Sequence, residues 1–268
     1  MENGTRIFQG GGGTFMGQKL LFEREGNIEW ITLNNPAKAN CLSRDMLIDL
    51  IEHLQMLKNN EQVSVVIITG SGERSFSAGM DVNEFVGLTP QTGYELISLL
   101  KQVCELVRKI PQAVVVAING YCIGGAMEIA MAADIRVATK DAIFIMPEIK
   151  LGIPSVLDSV LLQQHIGLSR AKEMLLTGDA VSAVEINQFG FLNALVELSE
   201  LKATAEFFAH RIAINHRVTI KQQKELFETW QNTSLDTAIQ DSMNQFALSF
   251  STGVPQEKIA EFFAAKQK

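Results

Sequence analysis

The feature that most constrains the fold is a pair of glycines between an apolar strand and an apolar helix. The segment AVVVAING, residues 113–120, is rich in β-branched residues, which is typical of a strand buried on both faces. After Gly124 and Gly125, the segment AMEIAMAAD predicts a helix that is apolar nearly all round and therefore buried. Glu128 lies in the first turn of that helix. Because an unpaired buried charge is costly, the sequence predicts either a partner or a chemical role for Glu128.

Strand and helix patterns alternate along the first part of the chain. Residues 18–34 predict a hairpin of two alternating segments, and strand–loop–helix units recur near Val65, Val114 and Ile135. From Ser155 onward the patterns are mostly helical, with one further strand expected in FLNALVE. Alternation followed by helices alone predicts an α/β core and a helical C-terminal region.

Composition indicates the domain organisation and disfavours several classes of protein. The chain has 268 residues, 47% of them hydrophobic, so it can bury one large core. Four consecutive glycines in residues 1–17 predict a flexible arm, followed by an α/β core in 18–200 and a helical region in 201–268. No apolar run reaches membrane-spanning length and no signal peptide is recognised, so no membrane partner is expected. The excess of 30 acidic over 23 basic residues, a net charge of −7, disfavours a nucleic-acid partner.

The cysteines indicate a reducing compartment. Cys41, Cys104 and Cys122 are odd in number, lie among apolar neighbours and show no C-x-x-C spacing. This pattern is typical of packed, reduced thiols rather than of disulfides or metal ligands. We therefore expect a cytoplasmic protein without a metal site.

Two glycine-rich junctions between a strand and a helix are candidate anion sites. Residues 77–81 (SAGMD) and residues 124–128 (GGAME) would expose backbone N–H groups at a helix N-terminus. Such groups suit a bound anion or an oxyanion that develops during a reaction. Taken alone, each junction is better explained by a tight turn that requires glycine.

A second carboxylate follows the next predicted strand. Glu148 comes directly after Pro147 in MPEIKLGIPS, and taken alone it is an ordinary acidic residue at a strand end or in a first helical turn. Together with Glu128 it makes a pair. Two carboxylates in a cleft that excludes water can hold one proton between them, so that one acts as an acid and the other as a base. The sequence alone leaves open whether the two converge.

Four segments, in this order and at these spacings, resemble the crotonase superfamily and, within it, the enoyl-CoA hydratases. They are FSAGMDVNEF, NGYCIGGAMEIAMAADIRVAT, AIFIMPEIKLGIP and TGDAVSAVEINQFGFLNALVE. The resemblance runs from about Lys19 to the C-terminal helices. It implies an α/β fold with a crotonase-like ββα superhelix core, and a helical C-terminal region that assembles homotrimers or dimers of trimers.

The resemblance also implies roles for the residues in these motifs. The N–H groups of Met80 and Gly125 match the family's oxyanion positions, where they would hold a thioester oxygen. Glu148 matches the carboxylate that exchanges a proton at the α-carbon, and Glu128 matches the one that orients and deprotonates the attacking water. The implied activity is reversible hydration of a 2-enoyl-CoA to a 3-hydroxyacyl-CoA. It needs no cofactor, because CoA enters as part of the acyl-CoA substrate.

A further set of residues falls at or beside positions that contact CoA in the family. The segment NNPAKANCL resembles the early CoA-contacting loop of the family. The resemblance assigns CoA contacts, mostly through backbone atoms, to Lys38, Ala39, Ala78, Asp81 and Gly124. Lys38 has the alternative of being an ordinary solvated lysine in a loop.

One segment departs from the family pattern, so the acyl group stays open. Many hydratases carry a G-x-x-P-G-x-G-G stretch after the Pro-Glu element, whereas residues 152–167 read GIPSVLDSVLLQQHIG. We expect Ser155 and Asp158 to form a helix N-cap and a first-turn acid. The alternative is that they make polar contacts to a functionalised acyl chain.

Several other functions are compatible with the same motifs. An isomerase of this family would need only the carboxylate at Glu148, and a dehydratase could act on a functionalised or carrier-bound acyl group. RNA binding, known for a few crotonase-like proteins, is disfavoured by the net charge of −7. A non-catalytic scaffold is disfavoured by the presence of both Glu128 and Glu148.

Overall fold

The computed structural model describes residues 19–266, and the arm expected in residues 1–17 lies outside the described residues. Two β-sheets and a set of helices form a mixed α/β structure, as predicted. The strands are β1 (Leu20–Glu25), β2 (Ile28–Leu33), β3 (Val65–Gly70), β4 (Ser75–Ser77), β5 (Ala113–Ile118), β6 (Tyr121–Ile123), β7 (Ile135–Thr139), β8 (Ile143–Ile145), β9 (Val181–Ser182) and β10 (Ala194–Val196). The helices are α1 (Arg44–Lys58), α2 (Pro90–Lys109), α3 (Gly125–Ala132), α4 (Leu162–Ile166), α5 (Leu168–Thr177), α6 (Ala183–Gln188), α7 (Leu198–Ala213), α8 (Arg217–Asn232), α9 (Leu235–Ser249) and α10 (Val254–Ala265).

The larger sheet has the strand order β1-β2-β3-β5-β7-β10. The predicted hairpin forms its edge, with β1 antiparallel to β2 and Leu20 opposite Leu33. All other neighbours in this sheet are parallel. Parallel strands are usually covered on both faces, which explains why β3 and β5 lack an alternating polar pattern.

Helices cover both faces of the larger sheet. Alternate residues of β3 and β5, such as Val66 and Val114, join a core cluster that includes side chains of α1, α2 and α3. The intervening residues, such as Val65 and Val115, pack with Leu201 and other small apolar side chains of α7. β5 is accordingly buried along its whole length.

The smaller sheet explains how three distant segments meet. Its order is β4-β6-β8-β9, and β4, β6 and β8 are parallel neighbours. Each of these short strands follows a strand of the larger sheet, in the pairs β3–β4, β5–β6 and β7–β8. Because parallel strands run in one direction, the segments that leave β4, β6 and β8 emerge at one edge of this sheet.

Three strands, β4, β6 and β9, were not predicted. Each has three residues or fewer. Such short strands carry too few residues for a recognisable period, and their pairing depends on neighbouring strands.

The C-terminal helices are fastened to the core by one buried lysine. Lys224 of α8 donates from Nζ to the backbone oxygens of Val107 (3.0 Å) and Gln112 (2.9 Å) and to Asp134 Oδ2 (2.8 Å). Helix α7 packs on the larger sheet. The boundary between the α/β core (18–200) and the helical C-terminal region (201–268) stays a prediction. Among residues 19–266, no helix combines the length and apolarity needed to cross a bilayer.

Candidate active site

The segments that leave β4, β6 and β8 bring the two glycine junctions into contact. A Cβ atom added to Gly79 would lie 3.4 Å from the Gly125 nitrogen, and one added to Gly125 would lie 3.5 Å from Met80 Cγ. A Cβ on Gly125 would also lie 2.8 Å from Leu100 Cδ2 of α2, closer than packing allows. A larger residue at Gly125 would therefore require the Leu100 side chain to move.

The two N–H groups assigned to an oxyanion belong to Met80 and Gly125, and neither is used by the helix or the β-bridge in which its residue lies. Gly125 is the first residue of α3, so its N–H has no acceptor within the helix. Met80 forms a parallel bridge with Leu42, in which Leu42 N–H donates to Gly79 O (2.7 Å) and Asp81 N–H donates to Leu42 O (3.1 Å). Because these flanking groups make the bridge, the N–H of Met80 itself points away from Leu42.

Glu128 is the first of the two carboxyl groups and is almost fully enclosed. It is 3% exposed, and Ser159 Oγ donates to its Oε1 at 2.7 Å. Its other oxygen, Oε2, is buried and has no hydrogen-bond partner among residues 19–266. Burial raises the pKa of Glu128 to about 8, the hydrogen bond from Ser159 opposes this shift, and the charge of Glu148 adds to it.

Glu148 is the second carboxyl group and begins a 3-10 turn, Glu148–Leu151, after β8. Ser155 Oγ donates to its Oε2 at 3.0 Å. Its other oxygen, Oε1, lies so close to Gly124 that a Cβ added there would be 2.6 Å away. Burial raises the pKa of Glu148, and hydrogen bonds from the backbone and from Ser155 oppose the shift.

The two carboxyl groups can share one proton. The charge of Glu148 raises the pKa of Glu128, so the two groups act on each other and do not both ionise freely. A protonated and an ionised carboxyl group beside two backbone N–H donors can protonate one atom and deprotonate another. The same donors can stabilise negative charge on an oxygen between them.

The residues assigned to CoA lie beside the first junction, apart from Gly124, which lies in the second. Ala78 N–H donates to Ala39 O at 2.9 Å, and Lys38 Nζ lies 3.1 Å from Asp81 Oδ2. Hydrogen bonds from the backbone and side chain of Asn83, together with Lys38, lower the pKa of Asp81 to about 2. Asp81 in turn raises the pKa of Lys38. The structure thus brings the early loop and the first junction together.

The expected N-cap at Ser155 is wrong. The following 3-10 turn, Leu157–Leu161, is preceded by Val156 and has no side-chain cap, because the hydroxyl of Ser155 binds Glu148 instead. Asp158 is 6% exposed and forms an ion pair with Arg108 of α2, rather than serving only as a first-turn acid.

Ser159, whose hydroxyl donates to Glu128, was not among the site residues predicted from the sequence. The available signal was its spacing of four residues from Ser155, in the segment that departs from the glycine-rich family pattern. A cavity of about 510 Å³ adjoins this segment, and most of its lining is apolar. Both serines lie on its wall, so a group bound in the cavity would lie next to the residues that hold the two carboxyl groups.

Two cysteines and one histidine of the core have packing roles. Burial raises the pKa of the Cys104 and Cys122 thiols far above neutrality, so both are uncharged packed groups. Burial lowers the pKa of His165 to about 4, and its ring lies edge-on to Phe191. Within the described part of the chain, no three His, Cys, Asp or Glu side chains cluster as a metal site would require.

Comparisons with known proteins agree on one family. The family model described as enoyl-CoA hydratase/isomerase matches residues 23–268. The chain is 32% identical to a short-chain-enoyl-CoA hydratase of Clostridium acetobutylicum, over 92% of this chain and 95% of that protein. It is 29% identical to a crotonyl-CoA hydratase of Syntrophomonas wolfei, over 93% and 96% of the two chains. The crystal structure of an enoyl-CoA hydratase from Bacillus anthracis superposes with a TM-score of 0.88 at 29% identity, covering 92% of this chain and 97% of that one.

Proposed function

The chain belongs to the enoyl-CoA hydratase/isomerase family, and from this premise we propose that it adds water reversibly to the double bond of a 2-enoyl-CoA, giving a 3-hydroxyacyl-CoA. One observation carries the proposal. The buried carboxyl group of Glu128 and the half-buried one of Glu148 lie beside two glycine junctions that contact each other and offer backbone N–H groups. Hydration of an activated double bond needs these parts, an acid, a base and a site for negative charge.

In the proposed reaction the thioester oxygen lies between the N–H groups of Met80 and Gly125. As water adds, electrons move from the double bond toward the thioester carbonyl, and that oxygen gains negative charge. Donors already fixed by β4, β6 and α3 stabilise this charge without reorganising. They act on the transition state more strongly than on the neutral substrate, so their contribution is to kcat.

The two carboxyl groups divide the proton transfers. The water oxygen forms a bond to the β-carbon while Glu128 accepts a proton from that water, and Glu148 gives a proton to the α-carbon. A water that donates to the unpartnered Oε2 of Glu128 favours the ionised form of this group. Hydration requires the proton of the pair to reside on Glu148 in the substrate complex, because Glu148 is the group that donates to the α-carbon. The reverse sequence expels water from the 3-hydroxyacyl-CoA.

The remaining proposals concern the rest of the substrate. We assign CoA binding to Lys38, Ala39, Ala78, Asp81 and Gly124, mainly through backbone atoms. Hydration changes no oxidation state, so the proposal includes no redox cofactor and no metal, and CoA enters with the acyl group.

Assembly and location are proposed on separate grounds. We propose a homotrimer or a dimer of trimers, because α9 and α10 expose large apolar side chains, including Met243, Phe246, Phe262 and Phe263. Several large apolar side chains exposed on neighbouring helices are typical of a surface that docks another subunit. We place the protein in the cytoplasm because its three cysteines are free and buried, as expected in a reducing compartment.

The test is hydration of crotonyl-CoA, followed by the loss of enoyl-thioester absorbance. We expect Glu128→Gln and Glu148→Gln each to lower kcat by about 100-fold or more, as general acid–base roles predict. Glu23→Gln changes an exposed glutamate of β1 in the same way and should leave kcat unchanged. A wild-type protein that hydrates no 2-enoyl-CoA would refute the proposal. Loss of activity in the Glu148 variant alone, in an isomerisation assay, would instead identify an isomerase.

A further inference from the structure

One short segment supplies a hydroxyl group to each carboxyl group of the site. Ser155 donates to Glu148 Oε2 at 3.0 Å, and Ser159 donates to Glu128 Oε1 at 2.7 Å. The two glutamates themselves come from different parts of the fold, the first turn of α3 and the turn after β8. The segment that contains both serines therefore sets the geometry of one carboxyl group relative to the other.

Each serine hydroxyl donates to only one of the two oxygens of its glutamate, so the other oxygen receives no hydrogen bond from that serine. Glu128 Oε2 is buried without a hydrogen-bond partner among residues 19–266, and Glu148 Oε1 lies against the backbone of Gly124. The last torsion of a glutamate side chain has a broad energy minimum, so packing alone fixes it poorly. A hydrogen bond to one oxygen determines which oxygen faces the site.

The turn that carries Ser159 is held in place independently of the glutamates. Asp158, next to Ser159, is buried and forms an ion pair with Arg108 of α2. Arg108 also forms an ion pair with Glu228 of α8, with 3.4 Å between Arg108 Nε and Glu228 Oε1. Because buried and hydrogen-bonded ion pairs fix both partners, the turn that carries Ser159 is anchored to α2 and α8.

We propose that Ser155 and Ser159 are positioning residues that assign the two oxygens of each carboxyl group to different tasks, one to anchoring and one to the reaction. The inference rests on the proposed hydration. Ser159 leaves Glu128 Oε2 to accept the proton of the attacking water, and Ser155 leaves Glu148 Oε1 to deliver a proton to the α-carbon. Neither serine exchanges a proton with the substrate.

The two serines have effects that can be separated. A hydroxyl that donates to a carboxylate favours its charged form, so Ser159 lowers the pKa of Glu128 and Ser155 lowers that of Glu148, in each case against burial. The other titratable groups acting around Glu128 are Glu148 and the uncharged thiol of Cys104. Loss of one serine should therefore raise the pKa mainly of its own glutamate.

A titration that needs no substrate tests this directly. Protein labelled with ¹³C at the glutamate Cδ is titrated by NMR, and Glu128→Gln and Glu148→Gln assign the two signals. We expect Ser159→Ala to raise the midpoint of the Glu128 signal and Ser155→Ala to raise that of Glu148, so each variant controls for the other. Ser159→Thr keeps the hydroxyl and should restore the wild-type midpoint. Midpoints that do not move, or that move equally for both glutamates in each variant, overturn the proposal.

Steady-state kinetics supply the second arm. We expect each alanine variant to lower kcat about 10-fold and to leave KM within about twofold, because the hydrogen bond orients a group that acts in the transition state. Ser159→Thr should retain most of the activity. An unchanged kcat in both alanine variants overturns the positioning roles while hydration stands. If the wild type hydrates nothing, the proposed function fails, and the titration still decides whether the serines position the carboxyl groups.

Discussion

Replacing Glu128 by glutamine should make the protein more stable in alkaline solution while it loses activity. The folded-state pKa of about 8 lies above the ordinary value of 4.5. Below pH 4.5 the carboxyl group is neutral in the folded and unfolded protein, so its full stability is present. As the pH rises toward 8, only the unfolded chain releases the proton, and the folded state loses stability relative to it.

The size of the effect follows from the two pKa values. They differ by about 3.5, and each pKa unit corresponds to about 1.36 kcal/mol, so burying the ionised group costs about 5 kcal/mol above pH 8. At pH 5, where the unfolded chain has released most of this proton, the same calculation gives a cost of about 1 kcal/mol for burying the carboxyl group. Glutamine is neutral at every pH and its amide oxygen can still accept from Ser159. The variant should therefore gain about 4 kcal/mol on the wild type between pH 5 and pH 9.

Urea unfolding at pH 5, 7 and 9, at one protein concentration, measures this difference. The matched control is Glu23→Gln, which alters an exposed glutamate, and its free energy of unfolding should differ from that of the wild type by the same amount at every pH. A free energy of unfolding that differs between Glu128→Gln and wild type by the same amount at pH 5 and pH 9 would show that burial does not govern this carboxyl group. A wild type that gains stability relative to the variant at pH 9 would reverse the sign and refute the reasoning.

Three further predictions use other parts of the structure. Gly124→Ala should lower kcat in the crotonyl-CoA assay about 100-fold, because its Cβ would lie 2.6 Å from Glu148 Oε1. The control is Gly26→Ala, which has the same positive φ but no atom near the added Cβ, and it should keep full activity. Lys224→Met should lower the free energy of unfolding by about 3 kcal/mol in urea, because its buried partners lose their donor. Lys38→Ala should raise the KM for acyl-CoA and leave kcat unchanged in steady-state assays, because it would remove a contact made equally in the ground and transition states.

The parts of the fold that sequence could predict are those set by local pattern. The β-branched run of β5, the glycine pair and the apolar helix α3 together predict a buried carboxylate at Glu128, because each signal spans several consecutive residues. Burial of Glu128 at 3% exposure agrees with that expectation. Alternation of strands with helices also predicted the α/β core that the structure shows.

The parts that sequence could not predict depend on contacts between distant segments. A serine with an acidic residue three positions later, as in Ser155 and Asp158, is typical of a helix N-cap. The hydroxyl of Ser155 instead donates to Glu148, which comes from a different turn of the chain. Ser159 faces Glu128 across 31 positions of the chain. No local pattern reports which of several polar residues in such a turn reaches another helix.

The parallel bridge at Met80 has a consequence for how this site would respond to mutation. The proposed donor is a main-chain N–H, so most side chains placed at Met80 would preserve it. At Gly125 an added Cβ would lie 2.8 Å from Leu100 Cδ2, so a side chain there would require Leu100 to move and would disturb the same kind of donor through crowding. A survey of variants would find glutamates that cannot be replaced, a glycine that resembles a packing position, and a methionine that looks dispensable. Substitution data alone would therefore not reveal the N–H of Met80, one of the two donors of the proposed oxyanion site.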